Sequence, residues 1–256
     1  MQTKKDGAVG WLIFDHPERR NAVSVEMWRQ IPPALADFEA DDAIRAVVMR
    51  GAGDVAFIAG ADISEFEQNR TGLATQDYDA DAGRALLGLA EFSKPLLAQI
   101  RGFCFGGGVA IALFADLRYA AQDAVFAIPA ARLGLGYHMA GLEGLASVVG
   151  APAAKEMFFT ARRFSAEEAF QMRLVNAVLP VDELETHVRE TAGRIAANAP
   201  LTVKSVKLIL REIAKEPGQR DLQAVGTSIR ACFESQDYHE GVRAFLEKRR
   251  PDFRGR

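Results

Sequence analysis

The residues best suited to chemistry are three consecutive glycines, Gly106, Gly107 and Gly108, set between two apolar runs. Ahead of them, Pro95-Leu-Leu-Ala-Gln-Ile100 reads as a short buried strand closed by Arg101-Gly102. Behind them, residues 109–115 are apolar without alternation, which predicts a buried helix. A strand, a glycine turn and a helix leave backbone N–H groups at the helix start with no intrahelical partner. Without a Cβ in the way, a ligand oxygen can approach them closely. Such a place suits a phosphate or an oxyanion that develops during acyl chemistry. A tight turn serving only close helix–strand packing uses the same residues. The phosphate signatures are missing, because no Gly-Lys-Ser/Thr follows and the run is not G-x-G-x-x-G.

A second stretch repeats the design. Ala56-Phe-Ile ends an apolar run, Ala59, Gly60 and Ala61 make a small-residue turn, and Asp62 stands before Ile63 where a helix would be capped. Two such turns can supply two N–H donors to one oxygen.

Together these stretches resemble the enoyl-CoA hydratase/isomerase (crotonase) superfamily, in which F-x-A-G-A-D-I/L followed by G-x-x-x-G-G-G holds an acyl-CoA thioester. The two patterns occupy residues 57–63 and 102–108 here. The resemblance extends to His16-Pro-Glu-Arg-Arg-Asn-Ala22, Phe164-Ser-Ala-Glu-Glu-Ala169 and Leu174-Val-Asn-Ala-Val178, and to Phe245-Leu-Glu-Lys-Arg-Arg-Pro-Asp-Phe253 at the end. Arg173 stands where relatives usually have glycine. By this resemblance the donors to the thioester oxygen are the amides of Ala61 and Gly107. Ala59, Gly60, Asp62, Ile63 and Gly106 shape the coenzyme A site. Arg19 and Arg20 lie where relatives place basic residues for CoA phosphates, although a solvated turn explains them equally.

Hydration of an enoyl thioester calls for two acid–base groups, one to hold water and one to deliver a proton. Hydratases of this family place one glutamate three residues after the donor glycine and another after the proline of the next loop. Alanines, Ala110 and Ala130, occupy those positions here, and a methyl group has no proton to exchange. The loop Gly134-Leu-Gly-Tyr-His-Met-Ala140 offers other groups. Tyr137 aligns with a pocket tyrosine of methylmalonyl-CoA decarboxylases of the superfamily, which however carry histidine where Ala61 stands. His138 falls where dienoyl-CoA isomerases place an acidic residue; it reads as a proton shuttle or as a hydrogen-bonded loop histidine. Glu65, Glu67, Asp79 and Glu143 are outside candidates. The resemblance thus implies acyl-CoA chemistry by enolate stabilisation with the reaction open among isomerisation, decarboxylation and thioester hydrolysis, or a non-catalytic acyl-CoA-binding subunit.

The elements that must position these residues follow a strand–strand–helix rhythm over residues 9–150. It predicts an α/β fold, the crotonase spiral of β-β-α turns. Residues 9–14 read as a strand, 24–40 as a helix capped by Ser24 and kinked or divided at Pro32-Pro33, and 42–50 as a strand. Residues 65–81 are polar and read as a flap, and residues 129–136 as a loop. After Ala151 helices dominate, including one over 219–245, with a single strand candidate at 174–178. The expected division is a spiral core over residues 1–195 and a C-terminal helical trimerisation region over 196–256, giving a homotrimer or a dimer of trimers.

At 256 residues, 49% hydrophobic and 25% charged, the composition is that of an ordinary globular chain. The net charge of −3 argues against nucleic acid as a partner. No apolar run reaches membrane-spanning length, residues 1–10 lack an apolar signal segment, and the two cysteines form no disulfide framework. A cytoplasmic protein is expected. It needs no metal, since His16, His187 and His239 show no ligand spacing, and no resident cofactor, coenzyme A being part of the substrate.

Overall fold

The computed structural model describes residues 1–65, 74–137 and 139–256. Its centre is a six-stranded sheet ordered β1-β2-β3-β5-β7-β10, with a four-stranded sheet β4-β6-β8-β9 beside it. The strands are β1 Gln2–Asp6, β2 Val9–Phe14, β3 Ala46–Gly51, β4 Ala56–Ile58, β5 Leu96–Ile100, β6 Phe103–Phe105, β7 Leu117–Ala121, β8 Val125–Ala127, β9 Phe164–Ser165 and β10 Ala177–Leu179. Each turn of chain gives its first strand to the large sheet and its second to the small one: β3 then β4, β5 then β6, β7 then β8. Within each sheet these strands pair in parallel. This is the expected spiral.

Double-sided burial explains why the central strands read as unbroken apolar runs. In β3, Val47 and Met49 face the main core, while Ala46 and Val48 face a second cluster containing Trp11, Leu97 and Tyr119. The main core is closed by α1 (Val25–Ala40) and α2 (Ala74–Glu91), and the second cluster by a later helix, Leu184–Ala196, which contributes Leu184, Val188 and Ala192. The glycine stretch opens α3 itself (Gly107–Leu113). The remaining helices are α4 Ala130–Leu133, α5 Met139–Thr160, α6 Ala166–Gln171, α7 Leu184–Ala196, α8 Pro200–Ala214, α9 Leu222–Glu234 and α10 Gln236–Leu246.

Several expectations need correction. The prolines at 32 and 33 do not divide α1, because Met27, Trp28, Ile31, Leu35 and Phe38 bury one continuous face across them. Of the supposed flap, residues 66–73 and with them Glu67 lie outside the described residues, but residues 74–81 are the first turns of α2. Tyr78 and Asp81 are buried there, Asp81 between Arg29 and Arg84. The 129–136 loop holds the short helix α4, and the single C-terminal helix is two, parted at Ser235, which caps the second through Tyr238 N–H. Gly150, at φ 78°, breaks α5 internally. Strands β1, β6 and β9 lie outside the expected set, and it is β6, not the expected strand at 95–100, that leads directly into the glycine turn.

The two small-residue turns owe their nearness to one pairing. Because β4 and β6 run parallel, their carboxyl ends reach the same edge of the small sheet, one leading into Ala59 and the other into Gly106. Helix α3 then lies directly on β4: a Cβ on Gly108 would stand 2.3 Å from the Ile58 carbonyl oxygen and 2.9 Å from its Cβ. Only a glycine fits that contact. Gly108→Ala should therefore cost about 1–3 kcal/mol or more of stability, read as a lower urea midpoint. An unchanged midpoint would mean that α3 is not seated on β4.

Candidate active site

The site is built around the Ala59–Ala61 turn. Val23 N–H donates to Gly60 O at 2.8 Å and Asp62 N–H donates to Val23 O at 3.0 Å, forming a parallel bridge between Val23 and Ala61. In such a bridge the bonds go to the residues flanking the bridged one, so the Ala61 N–H is turned away from Val23. Gly107 is the first residue of α3, and its N–H has no intrahelical acceptor. Gly106 before it adopts φ 48°, ψ −108°, while its own N–H is taken by Ala127 O at 2.9 Å. A Cβ built on Gly107 would lie 3.6 Å from Ala61 N and 3.8 Å from Trp28 Cζ2. The two amides therefore belong to adjoining turns.

The arginine loop is locked beside them. Asn21 is buried, its Nδ2 donating to Ala52 O at 2.9 Å and Ala56 O at 2.8 Å, while its Oδ1 accepts from His16 N–H at 3.0 Å. Arg20 and Asn21 both take left-handed backbone, at φ 52° and 56°. Ala59 N–H donates to Arg20 O at 3.1 Å. The structure thus gathers Arg19, Arg20, residues 59–63 and Gly106–Gly107 in one place. Ile63 is exposed. Glu65 is committed to structure, accepting Val25 N–H at 2.9 Å at the head of α1.

The acid–base candidates are less gathered. Tyr137 packs edge-on against Phe158, ring centroids 4.7 Å apart, which ties it to the far half of α5. His138 lies outside the described residues. Ala110 sits one turn along α3 from the donor glycine, its N–H on Gly106 O at 3.1 Å, and Ala130 is buried at the start of α4. Glu143 is exposed on α5, and Asp79 lies on α2. His16 contacts Ala22 O and Glu18, His187 packs against Tyr119 and His239 against Tyr238. No cluster of metal-ligating side chains occurs among the described residues.

Two features were missed in the sequence. Phe103 and Phe105 share one face of β6, and Arg163, from just before β9, lies over both rings at 5.9 Å. Arg20 lies over Phe103 at 5.0 Å. The alternation Phe-Cys-Phe was the available signal for the platform; nothing local pointed to Arg163. Second, Trp28 Nε1–H donates to Tyr78 OH at 3.1 Å, placing a buried aromatic pair behind Gly107.

Asp62 carries the local electrostatics. Burial pushes its carboxyl up, but Oδ1 accepts from Ser64 N–H at 3.0 Å and Ser64 Oγ–H at 2.6 Å, and the charges of Arg19 and His16 act the same way. The net pKa lies below the usual carboxylate value. A depressed folded-state pKa adds stability above the unfolded pKa, and that stability is lost as pH falls through the folded value. Asp62→Asn should accordingly be less stable than the parent at neutral pH, with the gap closing below about pH 4. Thermal unfolding of both proteins against pH reads this, and a gap that never closes would show that ionisation of Asp62 contributes nothing.

Comparison with known proteins bears on the family and the fold. The family model described as enoyl-CoA hydratase/isomerase matches residues 4–256. A crotonyl-CoA hydratase of Syntrophomonas wolfei is 32% identical over 250 residues, which are 98% of this chain and 96% of the relative. A carnitinyl-CoA dehydratase of Proteus mirabilis is 33% identical over 254 residues, 98% of this chain and 96% of the relative. Among solved structures, an enoyl-CoA hydratase/carnithine racemase from Magnetospirillum magneticum has a TM-score of 0.95 at 33% identity, covering 100% of this chain and 95% of that one. The chain belongs to the enoyl-CoA hydratase/isomerase family.

Proposed function

We propose that the protein is an enzyme that polarises the carbonyl of an acyl-CoA thioester with the backbone N–H groups of Ala61 and Gly107. The observation that carries this reading is the abutment of two turns, each with an amide turned away from its own secondary structure. A thioester oxygen between them gains two hydrogen bonds that strengthen as negative charge develops. That makes the α-proton or an α-carboxyl group easier to lose. Arg19, Arg20 and Arg163 supply positive charge for CoA phosphates, and Phe103 and Phe105, packed edge-to-face at 62°, offer apolar surface beside them.

The methyl groups of Ala110 and Ala130 favour a reaction other than hydration by two glutamates. Isomerisation, decarboxylation or thioester hydrolysis remain, with Tyr137 and His138 as the groups proposed to move protons. The same two methyl groups favour, as a second reading, a subunit that binds acyl-CoA without turning it over. Both readings place the protein in the cytoplasm, with no resident cofactor. Association as a trimer or dimer of trimers is supported by the exposed Leu210, Leu222, Phe233 and Phe245 of the C-terminal helices.

Incubation with crotonyl-CoA in D₂O, read by mass spectrometry, separates these forms. Deuterium incorporation at carbon without net hydration is expected, and it should fall about 10²–10³-fold in Gly107→Pro. Proline is at home in the first helical position, so this change removes the donor while leaving the helix start intact. Saturable binding without exchange would favour the non-catalytic reading, and failure of every acyl-CoA to bind would sink both. Arg163→Glu should weaken CoA thioester binding roughly tenfold without altering the melting temperature of the free protein. Unchanged affinity would remove Arg163 from the site.

A further inference from the structure

An aromatic wall stands behind the two donor turns, and polarising a thioester gives it no task. Its members are Trp28, on the buried face of α1, and Tyr78, early in α2, which are 4% and 5% exposed. The point that a Cβ on Gly107 would occupy lies 3.6 Å from Ala61 N and 3.8 Å from Trp28 Cζ2. A carbon-sized group between the donor turns is therefore already in van der Waals contact with the indole.

Two adjacent clamps between the same helices hold this wall. On the indole, Cζ2 is two bonds from Nε1, and Nε1–H donates to Tyr78 OH at 3.1 Å. A buried indole N–H that has found its acceptor fixes how the ring lies. One residue further along α1, Arg29 Nε donates at 2.8 Å to Oδ2 of Asp81, a buried carboxylate one turn beyond Tyr78. Neighbouring residues of α1 thus grip two positions of α2, and parting the helices would break both bonds. The cost of leaving the buried donor or carboxylate unpaired keeps the rings where they are.

We propose, resting on the acyl-CoA reading, that Trp28 and Tyr78 close the acyl end of the thioester site and restrict it to short acyl groups. With the thioester oxygen on the amides of Ala61 and Gly107 and the sulfur towards Arg19 and Arg20, the acyl carbons run past Gly107 onto the indole. In an open apolar channel each added methylene would tighten binding about fourfold, so the four that separate octanoyl from butanoyl would add about two hundredfold. A close-packed wall withholds that gain, because extra carbons forced against it cost strain.

Calorimetric titration of the purified protein with butanoyl-CoA and octanoyl-CoA tests this. The parent is expected to bind octanoyl-CoA no more tightly than butanoyl-CoA. Trp28→Leu keeps an apolar side chain but removes the ring, and it should raise the octanoyl-to-butanoyl affinity ratio about tenfold or more. Tyr78→Leu should move the ratio the same way, and it carries the test if Trp28→Leu does not fold. A pair that served only the core would weaken both affinities together, so an unchanged ratio in the folded variants overturns the proposal. Octanoyl-CoA bound about tenfold or more tighter than butanoyl-CoA by the parent also overturns it, and leaves the acyl-CoA reading intact. Binding of neither thioester would remove that reading and the wall's role with it.

Discussion

Everything at the proposed site depends on how closely a helix can approach a strand. Helix α3 rests on β4 through Gly108, where even one methyl group would meet the Ile58 carbonyl. That contact sets the height of Gly107 above the sheet, and the parallel pairing of β4 with β6 sets its lateral position. The three glycines therefore do different work. Gly106 supplies a backbone turn that L side chains rarely adopt, Gly107 leaves the space before the amide open, and Gly108 brings the helix down onto the strand.

The surroundings make the turns stiff without making them hydrophobic. Asn21 holds three chain segments through its amide, and the Val23–Ala61 bridge fixes the neighbouring turn. Arg20 inherits that rigidity, being adjacent to Asn21 and itself in left-handed backbone. Preorganisation of this kind lowers the ordering entropy that a ligand must overcome on binding. Arg173 tells a related story: it takes left-handed backbone at φ 64°, a conformation better suited to glycine than to an arginine.

Much of the architecture was legible because doubly buried parallel strands leave apolar runs, and because Ser24 is a cap that announces its helix. The donor turns were legible because small residues at strand ends have few other uses. Features that depend on distant partners were not. The polar start of α2 reads as a flap, yet Asp81 is held by Arg29, some fifty positions earlier, and Tyr78 by Trp28. Arg163 joins Phe103 and Phe105 only once β9 has paired with β8. The acid–base groups stayed open for a chemical reason, since alanines fill both positions where the family resemblance would put carboxylates.

Strand β1 was invisible in the sequence because all five of its residues are exposed and it buries no apolar face. Its place at the rim of the large sheet gives that composition a purpose. A sheet rim offers unpaired amide and carbonyl groups to any passing extended chain. Here the rim strand carries Lys4, Lys5 and Asp6, while the strand at the opposite rim, β10, is only three residues long. The small sheet ends in β9, two residues long. Charge on one border and brevity on the others discourage edge-to-edge pairing of the two sheets with a second chain, and with it growth into fibrils.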